Sequence, residues 1–305
     1  MAYLCPLCHA PLSRQDRVYQ CPQNHQFDIA KEGYVNLMPA HHKRSRDPGD
    51  NKEMMQARRR FLDQAHYHPM RAQVAELCRQ FIIDSDKVHI DDKKDEVNVL
   101  DIGCGEGYYT THIADALCQA QPQTHVYGLD ISKVAIRYAA KRYPNCDFSV
   151  ASSYRLPFAD HSLDGIVRIY APCKAEELSR VLTEKGIVII VTPAARHLYQ
   201  LRENIYQEVR LHQESAEELS GFEVIHQQHL NYMMELTGSD AFDLLQMTPF
   251  AWKASDELRQ NLLNSKLFQC EADFMLTVYR KTDPNSVNEA PSNRVVRPIN
   301  ESDTE

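Results

Sequence analysis

Val97-Asn-Val-Leu-Asp-Ile-Gly-Cys-Gly-Glu-Gly107 is the stretch on which the fold turns. An apolar strand runs directly into three alternating glycines, and a helix-period segment, 108 to 120, follows at once. Glycine lets the backbone pass close to a ligand, so this strand end can receive a small molecule. Outward from it, runs rich in Val and Ile alternate with helix-period segments: VYGLDI then 133 to 142, FSVA, LDGIVRIY then 174 to 182, and GIVIIVT. That alternation predicts a parallel, doubly wound α/β sheet. Further strands are expected around 222 to 236 and 272 to 280, with helical material at 239 to 246 and 256 to 265. The second strand ends in Asp130, where a carboxylate can accept two hydroxyl hydrogen bonds from a ribose. A dinucleotide-binding fold is the competing reading, but its G-x-x-G tail is absent here.

The amino-terminal residues follow different rules. Cys5-Pro-Leu-Cys8 is followed after twelve residues by Cys21-Pro-Gln-Asn-His25, three thiolates and an imidazole at knuckle-like spacing suited to tetrahedral zinc. A segment this short cannot fold on apolar burial alone, and zinc binding supplies the missing free energy. All four positions are protein ligands, so the site is expected to be structural, with no open position for a catalytic water. A redox CxxC is the alternative; His9, His41 and His42 are not expected to be ligands.

Of the 305 residues, 43% are hydrophobic and 25% charged, enough for one sizeable core plus a small appended unit. No run is apolar enough to span a membrane and the first residues lack a signal-peptide pattern, which points to a cytoplasmic protein. Cys78, Cys118, Cys146 and Cys270 each stand alone among nine cysteines, which argues against a disulfide framework. The net charge is -8, yet residues 1 to 62 hold ten Lys and Arg against six Asp and Glu, leaving -12 on the remainder. The basic end can face a polyanion, although uneven charge is common on soluble proteins. HHKRSRDPGD, 41 to 50, reads as a polar connector ahead of a helix from Glu53 to Asp63 and a second helix beginning near Pro69. The dense charge of 84 to 96 reads as a solvated linker and the last 25 or so residues as disordered.

The ordered set D-I-G-C-G-E-G, G-L-D and L-P-F-x-x-x-S-L-D resembles the class I S-adenosylmethionine methyltransferases over roughly 97 to 192. Ser152 departs from the pattern, since many relatives place an acidic residue there for the adenine amino group. Together with CPLC, CPQNHQFDIAKEGYVNLM, HHKRSRDPGDNKEMMQARRRFLDQAHYHP, RIYAPCKAEEL and LLQMTPFAW, the chain resembles the RlmA-type enzymes over most of residues 1 to 280. The resemblance implies a Rossmann-like sheet of seven strands, mostly parallel, behind a small zinc-binding domain. It divides the chain into a zinc-ribbon or knuckle-like RNA-recognition domain at 1–40, a helical connector with a charged loop at 41–96, a methyltransferase domain at 97–281 and a disordered tail at 282–305. The implied reaction is methylation of guanine ring nitrogen 1 in a hairpin loop of 23S rRNA, and the implied assembly is a homodimer. Departures are the acidic insertion at 84 to 96, Thr183-Glu184-Lys185-Gly186 in place of a Pro-Gly-Gly turn before the fifth strand, and the polar tail after Lys281.

By that resemblance Cys5, Cys8, Cys21 and His25 bind zinc, and Tyr67, Tyr109, Thr110 and His197 join Asp101, Gly103, Gly105, Asp130 and Ser152 around S-adenosylmethionine. Lys43, Arg44, Arg46, Arg58, Arg59 and Arg60 are candidates for holding phosphates, an exposed helix face being the plainer reading of the last three. The fourth strand ends in Arg168-Ile169-Tyr170-Ala171-Pro172-Cys173, where class I enzymes that modify base nitrogens carry their substrate loop. Here Arg168 could stabilise an anionic guanine, Tyr170 could stack or accept a proton, and His197 could act as base. Two rivals remain: a small-molecule methyltransferase carrying an incidental zinc ribbon, and a non-catalytic RNA-binding module that keeps cofactor affinity.

Overall fold

The computed structural model describes residues 3–39, 52–84, 96–212 and 216–282. The connector at 41 to 50 with Lys43, Arg44 and Arg46, the charged loop around 84 to 96 and the tail beyond residue 282 lie outside the described residues in whole or large part. In chain order the strands are β1 (Ser13–Gln15), β2 (Val18–Gln20), β3 (Gln26–Asp28), β4 (Val35–Asn36), β5 (Val97–Ile102), β6 (Thr124–Asp130), β7 (Asp147–Val150), β8 (Leu163–Ile169), β9 (Leu182–Pro193), β10 (Phe222–Leu236) and β11 (Phe268–Lys281). The helices are α1 (Lys52–Asp63), α2 (His68–Cys78), α3 (Tyr108–Ala120), α4 (Lys133–Arg142), α5 (Ala175–Val181), α6 (Tyr199–Glu203), α7 (Gly238–Gln246) and α8 (Asp256–Asn264).

The main sheet has the order β10-β11-β9-β8-β5-β6-β7-β4. Its strands from β4 to β9 pair in parallel, while β11 and β10 are antiparallel. All six residues of β5 are buried, as a central parallel strand covered on both faces requires. Strand order reverses around β5, and the loop leaving its carboxyl end opens at the position where doubly wound sheets bind ligands. Local chemistry sets the helix ends: Pro69 lies in the first turn of α2, and the Ser132 hydroxyl accepts from the Ala135 amide at 3.3 Å to start α4.

Two features differ from the sequence reading. The sheet has eight strands, because Val35 and Asn36 of the zinc-bearing segment pair in parallel with Ser149 and Val150 of β7. A two-residue strand has no periodicity to read, so nothing in the sequence marks it. Thr183-Glu184-Lys185-Gly186 forms no separate turn but belongs to β9, where five residues (183–187) run against two on β8 as a bulge between Leu163 and Gly165.

The zinc-bearing segment shares its core with the sheet. Tyr3, Cys5, Leu12 and Val35 pack in one cluster with Tyr127, Leu129, Leu156 and Phe158. The rings of Tyr3, Tyr127 and Phe158 lie 5.3–5.8 Å apart in tilted and edge-on pairs. Replacing Phe158, which is 1% exposed, with Ala is expected to cost about 3–5 kcal/mol in urea unfolding. An unfolding midpoint equal to that of the parent protein would show that this contact holds nothing together.

Candidate active site and metal centre

The metal centre is assembled by two knuckles. The His9 amide donates to the Cys5 carbonyl at 2.8 Å and the Asn24 amide to the Cys21 carbonyl at 2.9 Å, with His9 and Asn24 both at positive φ. This folds each ligand pair back on itself. Cys5 Sγ lies 3.5 Å from His25 Nδ1, Cys21 Sγ 3.4 Å from the same nitrogen, and Cys8 Sγ 3.6 Å from Cys21 Sγ. A tetrahedron with metal–ligand bonds of about 2.0–2.3 Å has edges of roughly 3.4–3.8 Å, the range in which these three separations fall. All four ligand atoms lie within 4.8 Å of one another, and the set of three thiolates and an imidazole is that of a closed structural zinc site.

The cofactor cradle forms where β5 ends. Gly103, Gly105 and Gly107 all have positive φ, the region only glycine enters without strain. A Cβ at Gly103 would lie 2.5 Å from that of Ala171, whereas one at Gly105 would point into open space. The loop therefore packs against the chain leaving β8 on one side and leaves a vacant shelf on the other. Asp130, at the end of β6, braces this shelf: one carboxylate oxygen accepts the Gly105 amide at 3.0 Å and the other the Ser132 amide at 2.7 Å. A carboxylate has about four lone-pair sites, so Asp130 keeps acceptor capacity for ribose hydroxyls. Asp101 is 2% exposed, and burial, opposed by the Thr110 hydroxyl and aided by the charge of Asp130, pushes its carboxyl up to about 7. The Thr110 hydroxyl donates to Asp101 at 2.6 Å and is itself buried, so it orients that carboxylate rather than facing the shelf. Ser152 sits at the far end of the cradle, its hydroxyl accepting from the Tyr154 amide at 3.2 Å. Open space over Gly105 beside the Asp130 carboxylate fits S-adenosylmethionine, a cation bearing a ribose, and this is the protein's cofactor.

Past Ala171, which faces Gly103, lies a cluster of aromatic rings. Tyr67 packs edge-on against Phe61 and Phe274, at 5.1 and 5.3 Å, and its ring lies 6.4 Å from His197. His197 is 4.7 Å from Phe274 and 6.3 Å from Tyr170. Tyr109 and Tyr232 close the group, each near enough to disfavour a phenolate at Tyr170. Tyr170 is half exposed and held at φ 56°. The carboxyl end of β10 and the start of β11 rise beyond the end of β9, because Phe274 is the residue that faces Pro193. That extension delivers Tyr232, Asp273 and Phe274, none of which carries a sequence signal beyond its strand.

His197 is 9% exposed, and burial, reinforced by His212, lowers its imidazole to about 4. Its Nδ1 accepts the Asp273 amide at 3.3 Å, which assigns the proton of the neutral ring to Nε2. In this tautomer the ring presents an Nε2–H donor. Arg168 also departs from expectation. Strand alternation turns it to the face of the sheet opposite Val167 and Ile169, where it is 4% exposed and pairs with Glu217. It lies apart from the Tyr170 and His197 group and has its charge already met.

The three arginines of α1 each have a partner within the protein. Arg58 donates to the Met247 carbonyl at 3.2 Å, Arg59 makes two 2.6 Å bonds to Glu106, and Arg60 makes bonds of 2.5 and 2.8 Å to the buried Asp243. They dock α1 to the cofactor loop and to α7, although the Arg60 side chain is still 57% exposed.

Known proteins match in the same two parts. Residues 3–46 match the family described as "RlmA, N-terminal", and residues 93–238 match a methyltransferase domain. A 23S rRNA (guanine(748)-N(1))-methyltransferase of Streptomyces fradiae is 31% identical over 264 residues, covering 85% of this chain and 89% of its own. The ubiquinone/menaquinone biosynthesis C-methyltransferase UbiE of Campylobacter jejuni is 29% identical over 106 residues, 32% of this chain and 45% of its own. Among solved structures, the YcgJ protein of Bacillus subtilis aligns over 65% of this chain and 97% of its own with 22% identity and a TM-score of 0.38. The ubiquinone/menaquinone enzyme matches a fragment, whereas the rRNA enzyme matches 85% of the chain, and with residues 3–46 matching the RlmA amino-terminal family the protein belongs to the RlmA family of 23S rRNA (guanine-N1)-methyltransferases.

Proposed function

We propose that the protein transfers a methyl group from S-adenosylmethionine to ring nitrogen 1 of one guanine in a hairpin loop of 23S rRNA. The observation that carries this reading is the joining of a zinc knuckle module to the glycine shelf in one chain that matches 23S rRNA (guanine-N1)-methyltransferases over most of its length, with the half-exposed ring of Tyr170 available to stack on a base. The family resemblance supports a hairpin-loop target, a homodimer and a cytoplasmic location; among the described residues no helix is long and apolar enough to cross a membrane. Residues 1–40 then contact RNA beside a methyltransferase unit at 97–281, with Lys43, Arg44 and Arg46 on the phosphates.

Bound S-adenosylmethionine supplies a methyl group already activated on a sulfonium. The protein's part is to hold the base and to accommodate charge. The N1 proton passes to solvent water as the methyl group is accepted, and the negative charge that builds on O6 meets a donor in the Nε2–H of His197. Tyr170, its ring half exposed, is placed to stack on the base.

The test is transfer of labelled methyl from S-adenosylmethionine to unmodified 23S rRNA, followed by nucleoside analysis. The expected product is 1-methylguanosine confined to one hairpin; no transfer to any rRNA with cofactor binding intact sinks the assignment. Any inflection near pH ~6.5 in the same assay should persist in His197→Gln, because His197, lowered to about 4, is already neutral there, whereas Asp101 in the cradle is pushed up to about 7. An inflection there that vanishes in His197→Gln would restore the histidine as base.

A further inference from the structure

We infer that Arg59 is a positioning residue for the cofactor loop: its guanidinium grips Glu106 and thereby fixes the backbone of Gly105 to Gly107 in the shape that receives S-adenosylmethionine. Glu106 is the one residue between Gly103 and Gly107 with a side chain long enough to be held from outside the loop. The glycines on either side of it have φ of +55° and +79° and no side chain to pin them. Such a segment loses more conformational freedom on ordering than any other, so an external restraint is what keeps it preorganised.

The geometry of that restraint is specific. Arg59 Nε and a terminal nitrogen each bond a different Glu106 oxygen at 2.6 Å, the parallel fork that a lysine cannot reproduce. The pair is partly shielded, with side-chain exposures of 31% and 18%. The same guanidinium lies 4.0 Å over the ring of Tyr138 on α4, so it is braced from the helix that follows Asp130. The loop is thus held at two points, by Asp130 at the Gly105 amide and by Arg59 at the next side chain.

The neighbouring arginine provides the control. Arg60 makes an equally bidentate bond from the same helix, but to Asp243 on α7, with no contact to the glycine loop. Loss of either pair loosens α1; only loss of the first frees the loop.

The experiment measures S-adenosylmethionine affinity by calorimetry on the full-length, zinc-loaded protein without RNA, with a thermal melt of each variant. Arg59→Met is expected to weaken binding roughly tenfold, the scale of a lost hydrogen bond to a charged group. Arg60→Met should lower the melting temperature and leave the affinity unchanged, and the exchange R59E/E106R should recover part of the loss. Unchanged affinity in Arg59→Met overturns the inference, as does an equal weakening in Arg60→Met, which would mean that docking of α1 is all that matters. A loss of RNA binding with cofactor affinity intact would also overturn it and make Arg59 a phosphate contact. If Arg59→Met does not fold, Glu106→Ala decides: parental affinity in that variant removes the clamp. Because no RNA is present, failure here is distinct from failure of the rRNA assignment.

Discussion

Chelating the zinc is expected to abolish rRNA methylation and to release residues 3–37 from the main sheet. The metal is the source of that segment's order, since zinc sites of this kind contribute on the order of 10–16 kcal/mol to folding and the segment has almost no apolar core of its own. Its apolar side chains, Tyr3, Leu12 and Val35, are spent on the sheet's cluster rather than on one another. Without zinc the knuckles lose their closure, Tyr3 leaves Phe158 and Tyr127, and β4 detaches from β7. Three thiols, Cys5, Cys8 and Cys21, should then react rapidly with a thiol reagent, and near-ultraviolet dichroism should lose part of its tyrosine signal. Unchanged thiol reactivity and activity after exhaustive chelation would remove zinc from the protein.

Asp130→Ala is expected to weaken S-adenosylmethionine binding by more than ~100-fold, since two amides lose a charged acceptor and each such bond is worth about 1.5–3 kcal/mol. The Gly105 amide then faces the shelf unpaired, and the Ser132 amide at the start of α4 loses its anion. Asp130→Asn should fall between, because its amide oxygen can serve only one of the two amides. Calorimetric titration of each variant gives the comparison, with parental affinity in Asp130→Ala as the result that would strike Asp130 from the site.

The sequence discloses what depends on neighbours in the chain. Alternation of apolar runs with helix-period segments locates β5 to β9 and their helices, CPLC and CPQNH locate the metal, and the glycines locate the shelf. What stays hidden is set by contacts distant in sequence. ARRR reads as a basic patch, yet its partners are 47 residues away at Glu106 and 183 away at Asp243. His197 has the right identity for a base, but its tautomer is set by the amide of Asp273, and its neutrality by burial against Phe274. Arg168 faces away from Val167 and Ile169, and the left-handed turn at Tyr170, φ 56°, breaks the alternation that would put Arg168 and Tyr170 on one side. For the zinc-bearing segment, the spacing of its ligands is legible and its strand in the main sheet is not.

That strand has a further consequence. β4 is the outermost member of its side of the sheet, and the Leu37 amide extends the pairing with a 2.9 Å bond to the Val150 carbonyl. Cutting the chain after the connector to obtain a minimal catalytic unit would uncover the row of peptide groups along β7, flanked by the newly bared Phe158 and Tyr127. An unsheltered parallel edge of this kind invites another chain to pair with it. The zinc ribbon thus doubles as a guard against self-association, and a shortened version of the enzyme should be lost to precipitation before its chemistry could be judged.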